Sequence, residues 1–360
     1  MESVYIHIPF CKSICSYCDF CKVIYHGPWI TQYLNALLAE IQDKYCDEEI
    51  KTLYIGGGTP SCLQEKDLKY LLDMIKVFKL STDYEFTFEC NLNDINEHLL
   101  DILKDYGVNR LSIGIETFDE DNLKFMERNH DFQTACNKMS LCRSKGFDNI
   151  NVDFIYGIPG ESLKVTKKDL DLLLKLNPDH ISTYSLIIED NTKIGITKMV
   201  PIPAELDATM YEYICDKLEN KKFIHYEISN FAKEGKMSRH NINYWLNNEY
   251  YGFGVGAHGY VHGVRYENTR SLTSYIGGKF LLKEDLLSRQ EQMDNEIMLG
   301  LRLLRGINVK DFFLKYQVNI QEAYDLKEVL AEKEMIYEDG FLFINPDYIY
   351  VMNEILIKIL

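Results

Sequence analysis

Apolar positions along this chain follow two alternating rhythms. Short unbroken apolar runs read as buried strands, and apolar residues at three- and four-residue spacing read as helices packed on them. The run Val4-Tyr5-Ile6-His7-Ile8-Pro9-Phe10 opens the series, and Leu34, Leu37, Leu38 and Ile41 give the first helical stripe. Strand Thr52-Leu53-Tyr54-Ile55 follows, then helix Leu68, Leu71, Leu72, Ile75 and strand Tyr84 to Glu89. A helix over Leu99 to Tyr106 leads to strand Arg110 to Ile115, and further strands fit Asn151 to Ile155 and His180 to Ser185 around a leucine-rich helix, Leu170 to Leu176. Six such strand–helix units predict an α/β fold, a parallel sheet curled into a partial (β/α)6 TIM-type barrel that stays open because the count stops at six. Chemistry in such barrels gathers at the C-terminal ends of the strands.

The rhythm changes towards the C-terminus. A helix carrying Ile297, Met298, Leu301 and Leu304 precedes one over Leu326, Val329 and Leu330. Met335-Ile336-Tyr337 and Phe341 to Ile344 then flank Asp339-Gly340 as a hairpin, and Asn345-Pro346 caps a last helix running to Leu360. The expected division is a barrel over 1–230, an extension over 231–290 and a small α+β, winged-helix-like domain over 291–360. Such a domain elsewhere reads DNA, but residues 294–360 hold seven Lys and Arg against twelve Asp and Glu. A lid or docking role over the barrel mouth is expected instead, because fold does not give function.

Composition narrows the field. With 46% hydrophobic and 26% charged residues in 360, the chain can bury a sizeable core, and no apolar run reaches the length of a membrane span. A formal net charge of −16 argues against nucleic acid as partner, since that grip needs clustered Lys and Arg. The start Met1-Glu2-Ser3 lacks a basic, then apolar, leader, so a reducing cytoplasm is expected and disulfides are not.

Ten cysteines then demand explanation. Cys46, Cys62, Cys90, Cys136, Cys142 and Cys215 are scattered singly and read as small buried hydrophobes. Cys11-Lys12-Ser13-Ile14-Cys15-Ser16-Tyr17-Cys18 differs, because three thiols in one tight loop point to a metal. Structural zinc, with Cys21 and His26 as further ligands, is the plainer alternative. Three thiolates on a [4Fe–4S] cube would instead leave one iron without a protein ligand, and an open coordination position marks a working site.

This CxxxCxxC loop, with an aromatic before its third cysteine, resembles the radical S-adenosylmethionine (SAM) superfamily. The resemblance implies a [4Fe–4S] cluster on Cys11, Cys15 and Cys18 whose open iron chelates SAM, reductive cleavage giving a 5′-deoxyadenosyl radical. Gly56-Gly57-Gly58-Thr59-Pro60, behind the second strand, is similar to the family's GGTP-type motif, whose backbone contacts the SAM amino group. Among members of the oxygen-independent coproporphyrinogen oxidase type, Tyr5, Gly57, Gly58, Thr59, Glu89, Arg128 and Asp153 match positions expected to contact SAM, Tyr17 and Ile187 more loosely. Glu116 stands where that type usually has glutamine, and a carboxylate cannot donate as an amide can, which puts a second-SAM contact there in question.

Downstream, His240-Asn241-Ile242-Asn243-Tyr244-Trp245 is an HNxxYW segment that resembles the HemW-type haem chaperones. The resemblance covers essentially the whole chain. It implies haem contacts at His240, Asn241, Tyr244 and Trp245, with haem passed to haem-accepting proteins, membrane enzymes such as respiratory cytochromes among them. Gly252 to Gly259 looks superficially like a dinucleotide fingerprint, but no hydrophobic strand leads into it and a close-packed turn is expected. Two other readings stand beside the chaperone. Oxidative decarboxylation of coproporphyrinogen III is not expected, because the oxidase pattern CxxxCxxCxC ends in cysteine where this chain has Phe20, with only a shifted Cys21 beyond it, and because ten residues precede Cys11 where the oxidase carries an N-terminal extension. The other is a radical SAM enzyme acting on a different small molecule, with His240 merely structural.

Overall fold

The computed structural model describes residues 1–360. Six parallel strands lie side by side in chain order: β1 (Ser3–Ile8), β2 (Glu49–Gly57), β3 (Lys79–Asn91), β4 (Arg110–Glu116), β5 (Ile150–Tyr156) and β6 (His180–Ser185). Between them run helices α1 (Gly27–Lys44), α2 (Glu65–Met74), α3 (Glu97–Asp105), α4 (Phe132–Ser144) and α5 (Leu163–Lys175). Each helix buries one stripe against the sheet; α1 does so with Ile30, Tyr33, Leu34, Leu37 and Ile41. Sequence chemistry sets the ends: Pro28 falls in the first turn of α1, and Asn96 caps α3 by accepting from the Leu99 amide.

The sheet has nine strands rather than six. Beyond β6 lie β8 (Asn230–Ala232) and β7 (Ile224–Glu227), both antiparallel to their neighbours, and β8 straddles the expected boundary at residue 230. On the opposite edge β9 (Tyr251–Phe253) pairs parallel to β1, Tyr5 facing Gly252. The glycine-rich stretch is therefore not the plain turn expected from sequence: its first residues are a strand, and the turn is confined to Gly254–Ala257. Gly252 has to be glycine because a Cβ there would lie 1.7 Å from the His258 carbonyl oxygen. A second, three-stranded sheet follows, of β10 (His258–Val261), β11 (Val264–Asn268) and β12 (Leu281–Leu286).

The C-terminal domain packs helices on a three-stranded antiparallel sheet in which Ile307–Asn308 pairs with Phe341–Ile344 and that strand with Met335–Glu338. Asp339 and Gly340 turn the hairpin at φ 50° and 82°, as a two-residue mirror-image turn requires. The last helix differs from expectation at its start: Pro346–Val351 is a 3-10 turn, and the α-helix occupies Met352–Ile359. One connected cluster of buried apolar side chains runs from Val4 to Leu356, so this domain shares its core with the barrel. No helix is long and apolar enough to cross a membrane.

Candidate functional site

At the C-terminal end of β1 the chain leaves the sheet through Pro9 and Phe10 into the cysteine loop. Cys11, Cys15 and Cys18 all line one cavity of about 410 Å3 at the barrel mouth. Their thiols are free, and no three Cys, His, Asp or Glu side chains converge on a single-ion position. A cubane asks for a spread of this kind, each thiolate serving a different iron. Burial pushes the Cys11 thiol up to about 11, and burial likewise raises Cys15 and Cys18. Loading a metal here must therefore expel protons. Arg128 Nη1 lies 3.9 Å from Cys15 Sγ and Thr59 Oγ1 lies 3.5 Å from Cys11 Sγ, so both sulfurs have donors for developing charge.

The glycine run is fitted to this loop. A Cβ on Gly58 would stand 2.8 Å from the Pro9 carbonyl and 2.9 Å from Cys11 Sγ, and one on Gly56 would meet the Glu89 carboxyl at 2.6 Å. Gly57 has φ +118°, and its amide donates to Glu89 at 2.9 Å while Tyr54 donates to the same carboxyl at 2.7 Å. Burial raises Glu89 above the ordinary carboxylate range. Asp153, on β5, is pushed up to about 7 by burial and then by the Glu116 and Glu89 charges, with Asn151 donating to it at 2.9 Å. Glu116 closes β4 at φ 64°, where the pairing with β5 shifts register. Its carboxylate makes an ion pair with Arg128 and accepts from Tyr17 at 3.2 Å. Arg128 also donates to the Gly114 carbonyl at 2.6 Å.

Tyr17, Gly57, Gly58, Thr59, Glu89, Glu116, Arg128, Asp153 and Ile187 thus line the same cavity as the three cysteines, together with Asn241. Tyr5 does not. It lines an adjoining cavity of about 540 Å3 with His240, Tyr244 and Asn241. Helix α7 (Arg239–Trp245), capped by Ser238 and preceded by α6 (Ala204–Asn220), carries the HNxxYW residues. That segment divides: Trp245 lines neither cavity, and its ring lies under the Arg302 guanidinium at 5.6 Å. His240 is buried, and both ring nitrogens are engaged. Nδ1 pairs with Thr52 Oγ1 at 2.8 Å and Nε2 with Tyr244 at 2.7 Å; because Thr52 donates to Ser3, His240 Nδ1 donates to Thr52 and Nε2 accepts from Tyr244. Burial holds its pKa down at about 3. In this arrangement His240 presents no free lone pair to an iron.

Arg110, Ser112, Asn151, Ser182, Tyr54 and Tyr184 also line the first cavity and were not expected there. Arg110 is a buried guanidinium whose Nη1 makes one long bond, 3.5 Å to Thr87, and whose Nε has no partner. A charged residue heading an apolar strand was the available signal. Cys62, Cys90 and Cys142 are buried as expected, whereas Cys46 is exposed.

Fold and site together define a radical SAM protein. The family model described as "Radical SAM superfamily" matches residues 5–173, and "HemN C-terminal domain" matches 287–351. The chain is 41% identical to the haem chaperone HemW of Bacillus subtilis over 94% of this chain and 93% of that one. It is 38% identical to HemW of Lactococcus lactis over 94% and 91%, and 32% identical to HemW of Escherichia coli over 95% and 96%. In structure it is similar to the solved coproporphyrinogen III oxidase (HemN) of Escherichia coli, with a TM-score of 0.87 at 19% identity over 99% of this chain and 89% of that one, a likeness of fold. The chain belongs to the HemW haem chaperone family of the radical SAM superfamily. Membership of the superfamily implies a [4Fe–4S] cluster and SAM.

Proposed function

We propose that this chain is a haem chaperone that holds a [4Fe–4S] cluster and SAM in the first cavity and haem in the second, and passes haem from the cytoplasm to haem-dependent proteins, respiratory membrane enzymes among them. The observation that carries this reading is the wall the two cavities share: Phe20, Tyr54, Glu89, Tyr184 and Asn241 line both. The second cavity has the size of a small-molecule site, and Tyr5, Tyr244 and Tyr250 give it flat apolar faces suited to a macrocycle.

In the first cavity Cys11, Cys15 and Cys18 would hold three irons of the cluster, which supplies an electron for SAM chemistry when bound. Gly57, Gly58 and Thr59 offer backbone groups to the SAM amino end, and Glu89 and Asp153 offer acceptors to its remaining polar atoms. Glu116 already neutralises Arg128. A second anionic ligand at that guanidinium would have to displace the carboxylate.

The test is anaerobic reconstitution of the full chain, haem titration, and transfer to a haem-free acceptor protein. A saturable Soret shift followed by transfer is expected, and absence of saturable binding would refute the haem reading. Coproporphyrinogen III supplied with SAM and reductant should be recovered unchanged. Turnover to the divinyl product would replace the chaperone by the oxidase.

A further inference from the structure

The three histidines that line the second cavity are His7, His240 and His258. An imidazole ligates iron through an unprotonated ring nitrogen, so the state of each lone pair decides which of them can do so. His240 is excluded in this form by the Tyr244 hydroxyl on Nε2 and by the proton it donates from Nδ1. His7 is excluded in the same way. Its Nε2 lies 2.6 Å from the Cys21 carbonyl, which can only accept, so Nε2 carries the proton and Nδ1 accepts from Tyr5 at 3.0 Å.

His258 has no hydrogen-bond partner on either nitrogen. Its side chain is 61% exposed, and the nearest carboxylate, Glu267 across the β10–β11 pair, stands 3.9 Å from Nε2. A small rotation would bring that carboxylate into hydrogen-bond range. A carboxylate behind a ligating imidazole fixes its tautomer and raises its basicity. The turn that presents His258 is also held against the cluster loop: a Cβ on Gly256 would lie 2.6 Å from Cys21 Cβ. Arg270 lines the same cavity with its Nη2 on the Asp19 carbonyl at 2.9 Å, an anchored guanidinium of the kind that pairs with carboxylates.

Resting on the haem reading above, we propose that His258 is the haem-iron ligand of the second cavity and Arg270 the partner of a propionate, while His240 and Tyr244 form the wall. The hydrogen-bonded HNxxYW residues then fix the shape of the chamber, and the free imidazole at its rim takes the metal.

The test is titration of ferric haem, and separately of iron-free protoporphyrin IX, into the full chain and its His258→Ala, His240→Gln and Arg270→Gln variants, followed by absorbance and electron paramagnetic resonance. Wild type should show an imidazole-ligated spectrum. His258→Ala should lose that signature and bind haem at least tenfold more weakly, regain the spectrum with added imidazole, and keep its affinity for the iron-free macrocycle. Arg270→Gln should weaken haem and protoporphyrin alike, and His240→Gln, if folded by circular dichroism, should keep the signature. A wild-type spectrum in His258→Ala, including one carrying a thiolate signature from Cys21, would overturn the assignment while leaving haem binding standing. Failure of wild type to bind either macrocycle would instead remove the haem reading itself.

Discussion

Gly58 is the residue on which the metal loop most directly depends. The atoms a Cβ would strike there are the Pro9 carbonyl and Cys11 Sγ. Backbone cannot yield as a long side chain does, so Gly58→Ala should push the first ligand out of register and cut reconstituted iron and sulfide per chain severalfold. The metal-free chain should lose about 1–3 kcal/mol, the usual range for overpacking. Full cluster content in the variant would break the link between the glycine motif and the thiols. Asp153 supports a prediction in pH. Its carboxyl is held at about 7 in the folded chain, by burial first and then by Glu116 and Glu89, against 3.8 ordinarily. The folded state therefore binds more protons than the unfolded between those values, and the stability this group contributes at acid pH is lost as pH rises towards 7. Asp153→Asn should consequently be more stable than wild type at pH 8, by about 1–2 kcal/mol because the cavity it lines opens to solvent, and should lose that advantage by pH 4. Urea denaturation of the ligand-free chain at both pH values measures it; an advantage independent of pH would point to packing instead of charge.

At the scale of elements, what the sequence made legible follows from how local each signal is. The six long strands carry β-branched and aromatic residues in short runs or alternation, the Asp339-Gly340 turn carries its own backbone requirement, and the cysteine and glycine motifs sit on single loops. β9 escaped because a strand of three residues completes no period, and β12 because every residue from Leu281 to Leu286 is exposed and shows no alternation. The same limit applies to the site. Ser112, Asn151 and Ser182 are polar residues on three different strands, and only the pairing register of those strands, which sets Ser112 opposite Asn151, brings them to one cavity. The HNxxYW motif was legible as a motif but not in its geometry, because Thr52, which engages His240, lies on β2 far away in sequence. That cross-element bond can be tested. Thr52→Val keeps shape and removes the hydroxyl, leaving a buried imidazole N–H without a partner, and should cost about 1–3 kcal/mol in thermal or urea melts. Haem spectra of Thr52→Val should stay as in wild type if His240 is wall, and should change if His240 is a ligand, because the variant removes the partner that orients its ring.

For the whole molecule the decisive arrangement is that two cavities are built on one side of one sheet and divided by side chains that belong to both. Tyr54 donates to Glu89, Glu89 also accepts from the Gly57 amide, and both residues face the second cavity as well. A ligand that orders this pair from the first cavity therefore pre-forms part of the wall of the second, and lowers the conformational cost of binding there. Linkage makes the effect reciprocal: whatever factor SAM contributes to haem affinity, haem must contribute to SAM affinity. Haem titrations of the cluster-loaded chain with and without saturating SAM, and SAM titrations by calorimetry with and without haem, should give the same factor, about fivefold or more in favour of joint binding at the low end of ordinary coupling energies. Glu89→Gln can still accept from the Gly57 amide through its one carbonyl oxygen and donate to the Tyr54 hydroxyl through its NH2 group, but loses the charge, and should shrink the factor less than Tyr54→Phe, which unties the wall. Equal haem affinity with and without SAM would mean that Tyr54 and Glu89 are rigid without any ligand, and that the two cavities act as independent sites on a common scaffold.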